Sequence, residues 1–202
     1  MQKKIIRNKI RQTINNLPSS YRYIASQQMT DLILSSLTEK PLLNNAKNIA
    51  CYWPTEYEIN TIELINDLIK NNKLCYLPNI NHSTNTLDFI RYTNKTKLIK
   101  NKFGILEPEF DINKKINIME LDIIFMPLTA FDSHGHRIGS GSGLYDRTLV
   151  RDDKKISYTL IGLAYSNQQI SNFIPNDWDI DLDFAVTEQE WFNFSKTYQK
   201  NN

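Results

Sequence analysis

Residues 137–147, RIGSGSGLYDR, place a guanidinium, alternating glycines and serines, a phenol, a carboxylate and a second guanidinium in unbroken succession. Gly139, Gly141 and Gly143 free the backbone for positive φ, and Ser140 and Ser142 are too small to block a ligand. Such a loop ahead of a helix presents unpaired N–H groups, which favour an anion. Arg137 precedes the glycines, while Tyr145, Asp146 and Arg147 follow them within about one helical turn. Together these groups suit a polyphosphate accompanied by a hard divalent cation. Neither common phosphate loop is present, because no Gly-Lys-Ser/Thr closes the run and the spacing is not that of a dinucleotide fingerprint. Taken alone, GSGSG also fits a flexible surface turn.

The elements around this loop are legible from periodicity. The apolar run Leu121 to Met126, ended by Pro127, predicts a strand buried on both faces, as in the interior of a parallel sheet, and Asp132 with Gly135 predicts a turn after it. Ile6, Ile10, Ile14 and Leu17 predict a helix over residues 2–16 whose other faces are basic, through Lys3, Lys4, Arg7, Lys9 and Arg11. A solvated face is one explanation of that charge. Pro18 to Ser20 separate it from a second helix with Ile24, Met29, Leu32 and Ile33 as apolar positions. Asn48 to Trp53 and Lys73 to Pro78 predict strands on either side of a helix opened by a capping box of Asn60 and Glu63, which makes a right-handed βαβ unit. Thr86 to Tyr92 alternates like a more exposed strand, and Asn94 to Asn101 reads as a loop. Tyr158 to Tyr165 and Phe184 to Thr187 predict the last strands, with Trp191, Phe192, Phe194 and Tyr198 packing as an aromatic terminal segment. The succession predicts one three-layer α/β domain over residues 1–202, doubly wound, with a mainly parallel sheet and helices on both faces. No strand order follows from the sequence.

At 202 residues, with 41% hydrophobic and 23% charged side chains and a formal charge of +2, the composition is that of an ordinary globular domain. Cys51 and Cys75 fall in apolar runs and are expected as free buried thiols, not a disulfide framework. No apolar run has the length of a membrane span and no secretory signal opens the chain, so the cytoplasm is the expected compartment. The basic, acid-free first thirty residues share their composition with organelle-targeting peptides, although the amphipathic helix accounts for them. His134 and His136 lack a third imidazole or a cysteine nearby, and a structural or exposed role is expected for both. The four aspartates between Asp177 and Asp183 lack the glycine and closing glutamate of an EF-hand.

The segments DIIFMPLTAFDSHGH and RIGSGSGLYDRTL resemble the signature of the 5-formyltetrahydrofolate cyclo-ligase family, also called 5,10-methenyltetrahydrofolate synthetases. That signature is a strand, a Phe-Asp turn, Arg-x-Gly-x-Gly-x-Gly-Tyr-Tyr-Asp and a helix; Leu144 stands where the family has its first Tyr. The resemblance covers Lys3 to about Thr187 and implies the following assignments. Lys3 and Arg7 match a Lys-x-x-x-Arg element reaching the nucleotide, with Lys4 beside them, and Arg137, Gly139 to Gly143 and Tyr145 complete the nucleotide site. The stretch around Trp53-Pro54-Thr55-Glu56-Tyr57-Glu58-Ile59-Asn60-Thr61 resembles the element Tyr-x-Pro-x-x-x-Glu-x-x-Thr, so Glu58 would take the pterin edge and Trp53 a neighbouring substrate contact, joined by Ser140, Gly141, Gly143 and Leu144. Asp146 and Asp179 would hold Mg²⁺, with Arg137 and Asp146 the catalytic pair. Glu107 matches a Gly-Ile-x-Glu-Pro turn, and Ser166 to Gln169 a short Gln-containing turn. The implied reaction is ATP-dependent closure of 5-formyltetrahydrofolate to 5,10-methenyltetrahydrofolate, with ATP as co-substrate and no nucleic-acid, membrane or obligate protein partner. Two other classes fit the bare residues: a non-catalytic module binding a phosphorylated metabolite, and a nucleic-acid binder using the basic helix, with steep salt dependence.

Overall fold

The computed structural model describes residues 2–39, 41–149 and 158–194. The first helix, α1 (Gln2–Asn15), buries Ile10 and Ile14, as its apolar stripe requires. It is followed by α2 (Ser19–Glu39), the short α3 (Pro41–Asn45), and the βαβ unit formed by β1 (Asn48–Ala50), α4 (Ile62–Lys70) and β2 (Leu74–Asn81). The chain then turns back in β3 (Thr86–Arg91), makes a hairpin of β4 (Leu98–Lys100) and β5 (Leu106–Pro108), and returns as β6 (Lys115–Ile116). The fully buried run is β7 (Ile123–Pro127), from which β8 (Ala130–Phe131), β9 (Arg137–Ile138) and α5 (Leu144–Thr148) follow. The sheet is completed by β10 (Thr159–Leu163), β11 (Phe184–Val186) and β12 (Trp191–Asn193).

Among the described residues, eight strands form one sheet in the order β12-β11-β10-β7-β1-β2-β3-β6. The five central strands, β11 to β2, run parallel, and β12, β3 and β6 add to the edges antiparallel. This is the mainly parallel α/β sheet expected. One face carries α1, α2 and α4 over a core that includes Ile14, Met29, Ile33, Leu64, Leu68 and Phe125. The other is covered by α5 and by irregular chain, with Leu149, Ile180 and Leu182 in its core. The chain leaves β1 toward β2 and β3, and leaves β7 toward β10 and β11. The switch point therefore lies between β1 and β7, and the loops at the carboxyl ends of these two strands open side by side.

Several local expectations are corrected. Residues 94–101 contain β4, paired with β5 from Leu98↔Pro108 to Lys100↔Leu106, so this stretch is a hairpin arm and not only a loop. The Asn60–Glu63 capping box does not form. The N-cap of α4 is Thr61, whose fully buried hydroxyl donates to the Tyr52 carbonyl at 2.7 Å, while Asn60 accepts from the Ile62 N–H at 2.9 Å and Glu63 pairs with Gln27. The aromatic terminal segment packs on the domain as expected and does so partly as a strand, β12, with Trp191 against Phe184 and with Phe192 and the following Phe194 against Phe131; Tyr198 lies outside the described residues.

Gly162 in β10 has no room for a side chain. A Cβ there would sit 2.6 Å from Leu128 Cδ2 and 2.7 Å from Leu182 Cδ1, both in the buried core. Gly162→Ala is expected to destabilise the fold by about 1–3 kcal/mol through overpacking, read as a Tm lowered by several degrees. An unchanged Tm would show that Leu128 and Leu182 move aside freely.

Candidate active site

The glycine loop bridges β9 and α5 and is exposed from Ser140 to Ser142. Two of its glycines are obligatory by conformation: Gly141 has φ +113 and Gly143, the N-cap of α5, has φ +64. The loop is tied from both sides. The Arg7 Nε–H donates to the Gly139 carbonyl at 2.8 Å, and the Arg147 guanidinium donates to the Ser142 carbonyl at 2.9 Å and the Asn85 carbonyl at 2.8 Å.

Arg137 leaves β9 with its side chain only 4% exposed, and it donates to Asp146 Oδ1 at 2.8 Å and to the Ile180 carbonyl. Asp146 also accepts from the Ile180 N–H at 3.3 Å. Because Ile180 is bonded to Asp179, this arrangement draws the two expected metal ligands toward one place. Asp179 itself forms an ion pair with Lys3 and accepts from the Asn176 N–H at 2.7 Å. Burial opposes its ionisation, but Lys3 and the Asn176 N–H more than offset that and hold the carboxyl below the usual range. The Lys3 ammonium also lies over the Phe173 ring, 5.7 Å from its centroid. Lys4, by contrast, is exposed and makes no hydrogen bond or ion pair among the described residues.

The second wall is the loop after β1. Tyr52 donates to the Ile59 carbonyl at 3.2 Å, Thr61 closes back on Tyr52, and Arg22 donates to the Glu56 carbonyl, so the loop is braced from its own ends and from α2. Trp53 packs edge-on against Tyr92, with centroids 6.0 Å apart. Glu58 is half-buried and accepts from the Thr55 N–H at 2.9 Å. Burial raises its pKa, while the Thr55 N–H and the charge of Arg11 work in the other direction. Tyr145 completes this wall from α5. Its hydroxyl is buried without a hydrogen-bond partner, and its pKa is pushed up by burial and then by the negative charge of Glu58, with Arg137 opposing. A buried phenol lacking a partner costs free energy unless a ligand supplies one. Leu144 is half-buried against the core of the α5 face.

The remaining candidates have structural work. Glu107 is 6% exposed and accepts from Asn79, Ile80 and Asn101, which pins the β4–β5 hairpin to β2. Gln168 is 1% exposed and donates to the carbonyls of Leu128 and Thr129, holding the chain beyond β7. Asp132, His134 and His136 bring ligand atoms within 4.8 Å of one another. Asp132, however, spends one oxygen on the His134 and His136 N–H groups, at 2.9 and 3.1 Å, and the other on His136 Nδ1 at 2.9 Å, so the trio organises the turn ahead of β9. Cys51 and Cys75 are free and buried. Two site residues escape the sequence reading, Arg11 and Arg22. Arg11 continues the four-residue spacing of Lys3 and Arg7, a signal present in the sequence, whereas nothing in the sequence marks Arg22.

An α/β sheet with cations, paired carboxylates and an orphaned phenol gathered at its switch point has the architecture of an enzyme acting on anionic substrates. Residues 1–188 match the 5-formyltetrahydrofolate cyclo-ligase family. A Haemophilus influenzae 5-formyltetrahydrofolate cyclo-ligase is 40% identical over 178 residues, covering 88% of this chain and 92% of that protein. An Escherichia coli relative of the same name is 31% identical over 169 residues, covering 82% of this chain and 92% of its own. Among solved structures, Aquifex aeolicus 5,10-methenyltetrahydrofolate synthetase superposes with a TM-score of 0.78 at 29% identity, over 96% of this chain and 93% of that one. The chain belongs to the 5-formyltetrahydrofolate cyclo-ligase family and is a ligase. No described helix is long and apolar enough to cross a membrane.

Proposed function

We propose that the chain, as one cyclo-ligase domain over residues 1–202, converts 5-formyltetrahydrofolate to 5,10-methenyltetrahydrofolate at the expense of ATP. The observation that carries this reading is the meeting of two unlike walls at one switch point, a cationic glycine loop and a carboxylate loop. A module that only binds a phosphorylated metabolite has no use for Glu58 facing Tyr145, or for a second carboxylate at Asp179.

The chemical difficulty is the leaving group, since a formamide oxygen does not depart as oxide. The formyl oxygen attacks the γ-phosphoryl group and ADP leaves; N10 then closes on the activated carbon and gives up its proton, and the C–O bond breaks with release of phosphate. Such a sequence needs positioning and charge neutralisation, not a protein nucleophile. Lys3, Arg7, Arg137 and the N–H groups of residues 139–143 hold the phosphates. Asp146 and Asp179 are hard oxygen donors that fit Mg²⁺, which supplies charge neutralisation when bound. Asp179 is paired with Lys3; with a cation held by the two carboxylates, the Lys3 ammonium would be available to a phosphate. Glu58 accepts from the N–H edge of the pterin, Trp53 and Leu144 line it, and the Tyr145 hydroxyl acquires the partner it lacks. The compartment we expect for this reaction is the cytoplasm, and the ligands we expect are the folate substrate and ATP.

The deciding experiment is the appearance of methenyl-folate absorbance with purified protein, with and without Mg-ATP; no product with both substrates present rejects the reading. A further expectation concerns Leu144, which stands where the family has Tyr. Leu144→Tyr restores an aromatic contact worth about 0.5–1.5 kcal/mol, so the KM for 5-formyltetrahydrofolate falls several-fold and that for ATP changes little. An effect confined to ATP would place residue 144 away from the pterin.

A further inference from the structure

Lys3, Arg7 and Arg11 stand four residues apart and so share one face of α1. Each reaches a different part of the site. Lys3 pairs with Asp179, Arg7 with the Gly139 carbonyl, and Arg11 with both walls at once. The Arg11 Nη2 donates to the Ser140 carbonyl at 3.4 Å, and its guanidinium lies over the Tyr57 ring, 5.4 Å from the centroid. Tyr57 is the neighbour of Glu58, whose carboxylate feels the Arg11 charge. The other groups facing Glu58 are the Thr55 N–H and side chain in its own loop, Tyr52 two residues beyond β1 and Tyr145 from α5. Burial keeps both phenols neutral. Arg11 is thus the cation among these groups.

We propose that Arg11 is a positioning residue that registers the folate loop against the phosphate loop, stacked on Tyr57 and bonded to Ser140 so that the Glu58 carboxylate stays aimed at the folate. A planar guanidinium suits this task because it stacks on an aromatic face while its edge donates, which an ammonium does not do. The inference rests on the cyclo-ligase reading, since it gives Glu58 the pterin. The Arg11–Ser140 bond is long, at 3.4 Å.

The test measures methenyl-folate formation across pH, with each substrate varied, for the parent, Arg11→Gln, Arg11→Lys and Tyr57→Leu. Arg11→Gln is expected to raise the folate KM about tenfold, the size of losing one charge-assisted contact. It also moves the acid limb of kcat/KM for folate to higher pH, because a buried Glu58 without its cation protonates more readily. Arg11→Lys returns the limb toward its parental place, and Tyr57→Leu moves it in the same direction as Arg11→Gln, but less. An unmoved limb and unchanged folate KM in Arg11→Gln overturn the proposal, as does a uniform fall in kcat at every pH. If Arg11→Gln does not fold, Tyr57→Leu decides, and parental values in it reject Arg11. Calorimetric folate affinity of parent and variants over the same pH range reads Arg11 without turnover. An inactive parent therefore counts against the cyclo-ligase reading alone.

Discussion

Arg137→Ala lowers turnover at saturating Mg-ATP at least tenfold, a loss of about 1.4 kcal/mol of transition-state stabilisation or more. The expectation rests on two functions of one side chain. Arg137 is a buried cation beside the glycine loop, and it fixes Asp146 at 2.8 Å while binding the Ile180 carbonyl, so it also sets where the Asp146 and Asp179 carboxylates converge. Alanine removes a charge from the phosphate site and frees Asp146. Asp146→Asn is expected to fall at least tenfold as well, because the amide keeps the shape but loses the charge that Arg137 and a metal require. Arg137→Lys separates the roles: it supplies a charge without the two-pronged geometry, and activity is recovered only in part. Circular dichroism and Tm establish that each variant is folded, and normal turnover in a folded Arg137→Ala or Asp146→Asn protein at saturating Mg-ATP would refute the assignment.

Glu58→Gln has its effect on the other substrate. A glutamine can still accept from the Thr55 N–H, so the loop keeps its shape, but it presents an amide NH₂ to a pterin edge that is itself a row of donors. Losing a hydrogen bond to a charged group weakens folate binding by about tenfold or more, with nucleotide affinity nearly unchanged. Titration calorimetry with each ligand is the measurement, and equal folate affinity in variant and parent removes Glu58 from the site. A stability signature accompanies the binding one. Because burial raises the Glu58 pKa in the folded chain, its contribution to stability falls as pH rises from the ordinary carboxylate value through the raised one, and Glu58→Gln flattens that slope.

What the sequence discloses depends on whether a residue's role is local. The strand at residues 123–127, the turn at Asp132 and the glycine loop are legible because a short apolar run, an acidic turn residue and alternating glycines each impose their own backbone. Lys3 and Arg7 are singled out by their match to the family's Lys-x-x-x-Arg element, since their spacing on one helix face also fits a solvated surface. The hairpin of β4 and β5 is hidden because its strands are three residues long, lie outside the main sheet and carry the exposed Ile99, so no alternation marks them. The α4 cap is misread because Asn60 and Glu63 have the right spacing while a tertiary bond from Thr61 to Tyr52 fixes the helix start. The pairing of Lys3 with Asp179 and the reach of Arg11 to Ser140 and Tyr57 arise only when α1 crosses to the far side of the sheet order. No periodicity records such contacts.

That crossing governs when the site can exist during synthesis. Arg7 is fastened to Gly139 across 132 positions and Lys3 to Asp179 across 176. At about 5–20 residues per second, a ribosome that has finished α1 works for roughly eight to thirty-three seconds before the partner of Lys3 emerges. Through that interval the basic face of α1 is an uncovered polycation among cellular polyanions, while the βαβ unit has its own local contacts to form. On the proposed reading of the site, ATP would act as a clasp, joining an early helix to the last third of the chain. Protection of α1 from proteolysis should therefore follow nucleotide concentration more closely than protection of α4 does.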